Sequence, residues 1–484
     1  MSRFVICLTE NTWYSLDIDN EKFIEGIALN SKSTYITFQV SDFIRYIKSK
    51  DKKYIPDIIN LESLDKQFSQ SGKELLGYGK WHILKSLRRE EFIKSDYRVS
   101  NIESFLQTIK DFYSKITEGN ADEFQRFNEI EKKVNKIIHK TALQGIRVDL
   151  ETVKQRCEEL HRYLYQLKNK FQFEHSIFQP ENTETQLQYL KSKKYKILNS
   201  CKRTISLLKS TDEICNLFYE INRTAQDLKS LIYMTANFGG KEFIHPYFLG
   251  FGTITSRIVI KEPALQNLRK KNRDIIIPNT GKKLLYIDYS QYEAGILAHC
   301  SGDEKLLNLY NEKDIYSDIV QNVLKEDNPE RRKESKVLFY RYLYGDDFSS
   351  NVKLKNTIEA YFGNFIALSK FKKQLIEESK KDGFVKSIKG NHRVLNVETD
   401  NVWILSHYIQ SIASYIFKKA LIEVNEKVKE AKLLIPLHDG ALYEVNEESF
   451  DDLEKQIREI FINNLKLECP KLKNASAEVK DFCS

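Results

Sequence analysis

Short apolar runs separated by polar turns fill the first quarter of the chain, and helical periodicity takes over after it. In residues 1–118 the segments FVICL, WYSLDI, TYITFQV and PDIINLES read as strands, and SDFIRYIKS reads as an amphipathic helix among them. That alternation predicts a small α/β domain. After Gly119-Asn120, ADEFQRFNEIEKKVNKIIHKTALQG places apolar residues at helical spacing and stops at Gly145. A long amphipathic helix follows, with Asp149 suited to its N-cap, and residues 185–235 hold further charged helices that suit an extended arm. Gly239-Gly240 marks a break before the turn-rich FIHPYFLGFGTITSRIVI. KLLYIDY then reads as a buried strand, QYEAGILAHCSG as a helix, and residues 303–385 as mostly helical. LLIPLHDGALYEV reads as two strands joined by a tight turn, and ESFDDLEKQIREIFINNL as a last helix before a tail without a clear pattern.

Composition narrows the class. With 484 residues, 41% hydrophobic and 30% charged, the chain can build two or three cores of ordinary soluble type. The net charge of +8 suits a polyanionic partner and leaves room for an acidic site within a basic groove. Seven cysteines without a C-x-x-C pair argue against a disulfide framework or a zinc site and for a reducing compartment. No apolar run reaches the roughly 18 residues that span a bilayer. The first residues lack the pattern of a secretory signal, so a cytoplasmic setting is expected, either at a nucleoid or in a virus-infected cell.

The candidate chemistry begins at two acids. Asp288 ends the apolar run LLYI, where an ionised carboxylate is costly unless a cation or donor meets it. Asp439 lies in LHDGAL. Taken alone, each is better explained without chemistry, Asp288 as a helix N-cap or salt-bridged turn acid and Asp439 as part of a His-Asp-Gly turn. Taken together, two hard oxygen ligands at strand ends suit a pair of Mg²⁺ ions about 3.5–4 Å apart. A third element narrows the reaction. Arg332, Lys336, Tyr340 and Tyr344 recur every four residues along one helical stripe, closed by Gly345. Cations on that stripe can hold a triphosphate, and its rings can stack on a base or sugar.

These residues resemble the signature of the family A DNA polymerases, the DNA polymerase I type. DYSQYEAGILAHCSGD resembles motif A, Arg332–Gly345 resembles motif B (R-x3-K-x3-F/Y-x3-YG), and LHDGALYEV resembles motif C, usually written HDE. TSRIVIKEPALQNL is similar to the TGRLSSxxPNLQN segment, GIRVD to the start of the palm-to-thumb helix, IHPYF to the segment before the primer-contacting loop, EKDIYSDI to the DIHT helix, and HYIQSIASYIFKKAL to the QGxAAD helix. The similarity runs in family order from about residue 120 to the end.

The resemblance implies an α+β fold of right-hand form: a palm with an antiparallel sheet (about 236–302 and 391–484), helical fingers (303–390) and a helical thumb (150–235), within residues 119–484. Residues 1–118 would be a degenerate 3′–5′ exonuclease-like domain. It implies that Asp288 and Asp439 hold two Mg²⁺ ions, with the Tyr289 carbonyl as a further ligand and Mn²⁺ able to substitute. Arg332 and Lys336 would grip the triphosphate, Tyr340 and Tyr344 would stack at the sugar and template base, and Gln291 would lie by the nascent pair. Glu293 would crowd a ribose 2′-OH. Arg257, Gln266, Asn267, Gln410 and His438 would touch primer–template DNA. The implied partners are primer–template DNA and dNTPs, with no membrane; the sequence identifies no accessory or processivity protein.

Departures from the family pattern are specific. Gly440 replaces the Glu of HDE, removing a third acid and weakening metal binding; Gly295 replaces Arg, Tyr292 replaces Ile, and Ala264 replaces the Asn of PNLQN. Tyr316 replaces His, and Arg341 replaces Gly, adding a charge beside the nucleotide. Tyr340, where many relatives carry Phe, implies weak rejection of dideoxynucleotides. In residues 1–118 the nearest approach to an exonuclease metal site is Asp17-Ile-Asp19, with no Y-x3-D, so proofreading is not expected; no 5′ nuclease domain is recognisable either. Two other readings stay open: an impaired polymerase-like DNA-binding scaffold, and a single-subunit RNA polymerase, against which Glu293 argues.

Overall fold

The protein is described by a computed structural model covering residues 2–51, 53–70, 81–118, 121–197, 200–236, 242–326, 328, 331–346, 348, 352–387, 390–395 and 402–483. The expected breaks at Gly119-Asn120 and Gly239-Gly240 lie outside these residues. Two compact units emerge. One comprises residues 1–144, 247–260 and 280–481; the other comprises 145–246, 261–279 and 482–484.

The first unit contains two larger sheets beside short two-stranded pairings. Strands β1 (Arg3–Thr9), β2 (Thr12–Asp17), β3 (Lys22–Glu25), β4 (Thr34–Thr37) and β5 (Asp57–Asn60) lie in the order β3-β2-β1-β4-β5. The first three form antiparallel pairs, and β4 and β5 continue in parallel. Parallel neighbours need a crossover, which the helix Val40–Ser49 supplies between β4 and β5. It buries Val40, Phe43, Ile44 and Ile47, which are spaced at one helical face. Asn60 then caps the next helix, accepting from the Glu62 and Ser63 N–H groups.

The second sheet is wholly antiparallel. Its strands are β6 (Lys282–Tyr289), β7 (Lys432–Pro436), β8 (Gly440–Asn446) and β9 (Ala477–Lys480), in the order β7-β8-β6-β9. The strands expected at KLLYIDY and LLIPLHDGALYEV are present, and the tail without a clear pattern supplies the fourth. Helices α1 (Tyr292–Ser301), α2 (Ile315–Ile319), α3 (Arg332–Leu343), α4 (Ile404–Lys427) and α5 (Phe450–Glu468) complete the frame of the site. Two-thirds of α4 is buried, including Ser411, Ser414 and Lys418, so it is a core helix rather than an amphipathic surface helix.

The buried ammonium on α4 is matched. Lys418 Nζ reaches Glu131 Oε2 at 2.6 Å and Ser256 Oγ at 2.8 Å, and Arg126 Nη2 reaches the same hydroxyl at 2.6 Å. Ser256 itself has φ +63°, a left-handed conformation costly for a residue with a Cβ. Those two cations, with Ser414 Oγ donating to its carbonyl at 2.7 Å, hold it there.

The second unit is mainly helical. Its longest helices are Leu150–His175, capped by Asp149 as its sequence suggests, and Glu213–Ala236. Their packing stacks Phe171 on Phe218 at 4.9 Å within a core that includes Leu167, Cys215 and Ile221. Among the described residues no helix is long and apolar enough to cross a membrane.

Candidate active site

Strand pairing brings the two candidate acids together. Asp288, next to last in β6, lies opposite Gly440, the first residue of β8. Asp439 therefore sits one residue before that pair, in the two-residue loop closed by the Leu437 N–H donating to the Gly440 carbonyl at 2.7 Å. The Tyr289 N–H donates to the Asp439 carbonyl at 2.9 Å, which locks the loop to the strand end. About 150 residues of chain separate the acids, and one sheet register removes that distance.

The corner after Asp288 is built from aromatic rings. Tyr289 and Tyr292 stack at 4.2 Å with planes 8° apart. Buried hydroxyls need partners; the Tyr289 hydroxyl donates to the Phe461 carbonyl and that of Tyr292 to the Ala413 carbonyl, at 3.0 and 2.6 Å. These bonds tie the β6–α1 corner to α5 and α4. Gln291, at φ +49°, starts α1, and its Oε1 accepts from the Ile315 N–H at 2.8 Å. Gln291 thus anchors α2 to the corner.

The electrostatics at the corner are strained by like charges. Burial, followed by the charge of Asp439, pushes the Asp288 carboxyl up to about 6, and Lys480 acts against both. Asp288 Oδ1 is buried and has no hydrogen-bond partner among the described residues. Such an oxygen, with a second carboxylate at hand, suits a hard cation. Among the described residues no three His, Cys, Asp or Glu side chains converge on one point, so the donor set is two carboxylates and not a closed cage. Mg²⁺ commonly uses one or two carboxylates and completes its shell with water and substrate phosphates.

Glu293, 4% exposed, is paired with Arg257 and pushed up to about 7, by burial first, with Arg257 opposing and Asp439 adding to the rise. Arg257 is thus bound to Glu293, and the Tyr344 hydroxyl lies by both Arg257 and Gln410.

Helix α3 carries the cation–aromatic stripe. Arg332, its first residue, makes a two-pronged ion pair with Asp314, at 2.8 and 2.7 Å. Burial alone would raise the Asp314 carboxyl; Arg332 and Ser317 hold it below its ordinary value. Lys336 Nζ stands 5.9 Å from the centres of both the Tyr316 and Tyr340 rings, and its charge reaches Asp288 and Glu293. The Tyr340 and Tyr344 rings lie 5.7 Å apart. The helix ends in a Schellman motif: Gly345 N–H bonds Tyr342 O, Asp346 N–H bonds Arg341 O, and Gly345 has φ +74°. The charge of Arg341 is taken up by Asp346 at 2.8 Å.

Asp288, Tyr289, Gln291, Glu293, Arg257, Arg332, Lys336, Tyr340, Tyr344, Gln410, His438 and Asp439 all belong to the first unit. Gln266 and Asn267 belong to the second, on a short 3₁₀ turn with Asn267 exposed. Three residues beside the site were not singled out from the sequence as contributors. Asp314 could be read only as the N-cap it also is, and Glu478 and Lys480 lay in the tail, where only i, i+2 alternation in AEVK hints at a strand.

Comparison with known proteins gives one answer at three levels. The sequence model of DNA polymerase family A matches residues 136–478. DNA polymerase I of Caldicellulosiruptor bescii is 24% identical over 427 residues, covering 78% of this chain and 50% of that protein. DNA polymerase I of Bacillus subtilis is 25% identical, covering 72% and 45%, and that of Bacillus caldotenax 26%, covering 71% and 44%. The chain thus spans about half the length of these curated relatives. A solved structure, the POL domain of Pol1 from M. smegmatis in complex with DNA primer-template and dNTP, superposes with a TM-score of 0.79 at 18% identity. It covers 99% of this chain and 95% of that one, and so establishes the α+β polymerase-domain fold.

Proposed function

The chain belongs to DNA polymerase family A, and from that premise we propose that it is a template-directed DNA polymerase extending a primer with deoxynucleoside triphosphates. The observation that carries the proposal is the meeting of Asp288 and Asp439 at one end of an antiparallel sheet, within electrostatic reach of Lys336 on α3.

Asp288 and Asp439 would hold two Mg²⁺ ions, with the Tyr289 carbonyl as a further ligand and Mn²⁺ able to substitute. Bound there, the ions would activate the primer 3′-hydroxyl and neutralise charge at the leaving pyrophosphate. Lys336 and Arg332 would bind the triphosphate, Arg332 on exchanging Asp314 for a phosphate oxygen. Tyr340 and Tyr344 would present ring faces to the nascent pair, near Gln291. Glu293, kept in place by Arg257, would obstruct a ribose 2′-hydroxyl. Arg257, Gln410, His438, Gln266 and Asn267 would contact the primer–template, reading backbone and shape rather than sequence. Residues 1–118 would be an exonuclease-like domain without proofreading, and residues 119–484 the polymerase domain, with thumb, palm and fingers at the boundaries given above.

Primer extension with dNTPs or rNTPs tests the reading. Wild-type protein should extend with dNTPs and discriminate against rNTPs. Loss of a metal ligand forfeits several kcal/mol of charge stabilisation, so Asp288→Ala and Asp439→Ala should each lose on the order of 10³-fold in rate. A wild-type protein that does not extend would sink the reading, as would an Asp288→Ala protein that extends normally.

A further inference from the structure

Within its sheet, Asp288 has a neighbour on each side. Gly440 of β8 stands opposite it on one side and Glu478 of β9 on the other. The Gly440 side is closed to a side chain: a Cβ there would overlap the Ile287 carbonyl oxygen and press on Asp288 Oδ1. Any compensating group drawn from the sheet must therefore come from β9.

Strand residues two apart face the same side, so Lys480 shares the face of Glu478 and Asp288. Lys480 itself pairs with Tyr286, one step along the diagonal from Asp288, a reach suited to a long side chain. Its Nζ lies 3.0 Å from Asp288 Oδ2 and 3.3 Å from Glu478 Oε2. A chain-borne ammonium group thus binds the carboxylate that the polymerase reading assigns to a divalent ion.

We propose that Lys480 is a tethered counter-cation of Asp288, which an incoming divalent ion must displace or tolerate, so that this lysine sets the cation affinity of the site. The inference rests on the assignment of Asp288 as a metal ligand. The flexible four-carbon stem allows the ammonium group to withdraw into solvent, so Lys480 tunes binding without blocking it. Glu478 acts in the same direction: without Lys480, its carboxylate, beside which Ser290 also lies, would lose its nearest cation and add to the pull on an incoming ion.

A unit charge about 5 Å from a divalent ion changes its binding roughly fifteenfold with water-like screening and more than about ten-thousandfold at an effective dielectric of about 20. With the Lys480 side chain 39% exposed and its ammonium able to withdraw into solvent, the expected effect lies at the water-like end, about tenfold. The test is a Mn²⁺ titration of the full chain, without DNA or nucleotide, in which free Mn²⁺ is read by electron paramagnetic resonance. Lys480→Met and Lys480→Gln should both bind Mn²⁺ about tenfold more tightly than wild type, Lys480→Arg should stay within about twofold, and Asp288→Asn should lose the site. Neutral variants that bind no more tightly than wild type overturn the proposal. So does a Lys480→Arg protein that tightens as much as they do, since the effect would then follow shape and not charge. Primer extension by the wild-type sample keeps the readings apart. Extension together with unchanged Mn²⁺ affinity in the neutral variants removes only the role of Lys480; absence of extension removes the polymerase reading, and the Mn²⁺ comparison still decides Lys480.

Discussion

Residue 440 carries Gly where the resembled motif is written with Glu, and its surroundings leave no room for a Cβ. The strands bearing Asp288 and Gly440 approach so closely that an added Cβ would meet the Ile287 carbonyl oxygen first, and then Asp288 Oδ1 and Cα. Gly440→Ala should therefore cost about 1–3 kcal/mol as an overpacking change, read as a lower urea midpoint, and should weaken extension by shifting Asp288. At the same scale, two imidazoles are sealed in the interior. Burial pushes His139 down to about 4 and His407 down to about 3, so both are neutral in the folded protein. Their folded values lie below the unfolded one of about 6.5, so the unfolded chain takes up protons first as the pH falls. Stability from this source is complete above about pH 6.5 and declines below it, toward pH 4 for His139 and pH 3 for His407. Between pH 7.5 and 5 each should cost about 2 kcal/mol. Urea unfolding at the two pH values should show the loss, and His139→Met should remove its share.

Helix α3 was legible as an element because its information is local. Four-residue spacing of Arg332, Lys336, Tyr340 and Tyr344 defines the stripe, and Gly345 supplies the left-handed residue at its end. What the stripe touches was not legible, since Asp314 and Tyr316 come from α2, a separate helix. Lys336 is the stripe cation whose field reaches Asp288 and Glu293, whereas Arg332 is held by Asp314. Lys336→Met should lower kcat/KM for dNTPs by roughly 10- to 100-fold, the value of one charge-assisted contact. Single-turnover extension across a dNTP series measures it, and an unchanged kcat/KM would remove Lys336 from nucleotide binding. Strand β9 shows the opposite case. Four residues, AEVK, are too few to announce a strand, and only their register against β6 sets Glu478 and Lys480 beside Asp288.

At the scale of the molecule, the two larger sheets of the first unit have different chemical capacities. The acids nearest to an exonuclease pair are both committed to structure. Asp17 closes the β2–β3 turn, accepting from the Asp19 and Asn20 N–H groups and from Asn20 Nδ2. Asp19 is held by Arg3, which donates through Nε, Nη2 and its backbone N–H. The sheet that carries Asp288 instead leaves its Oδ1 without a hydrogen-bond partner among the described residues. A mismatched primer terminus incubated with divalent ions and no dNTPs should therefore stay intact. Shortening of that primer would show that other acids serve as a nuclease site.

The sequence by itself determined the elements and the types of group they carry. Helical and strand periodicities, the Asp149 cap, the Gly345 terminus and the apolar runs ending at Asp288 and preceding Asp439 depend on neighbours within a few positions. Tertiary structure alone decided which of those groups meet. The register that sets Asp288 opposite Gly440 and Glu478, the pairings of Arg332 with Asp314 and Arg257 with Glu293, and the cations around Ser256 all join distant segments. Local propensity acts over a turn of helix or a pair of strand residues; charge neutralisation and close packing act through space, wherever folding brings the chain together.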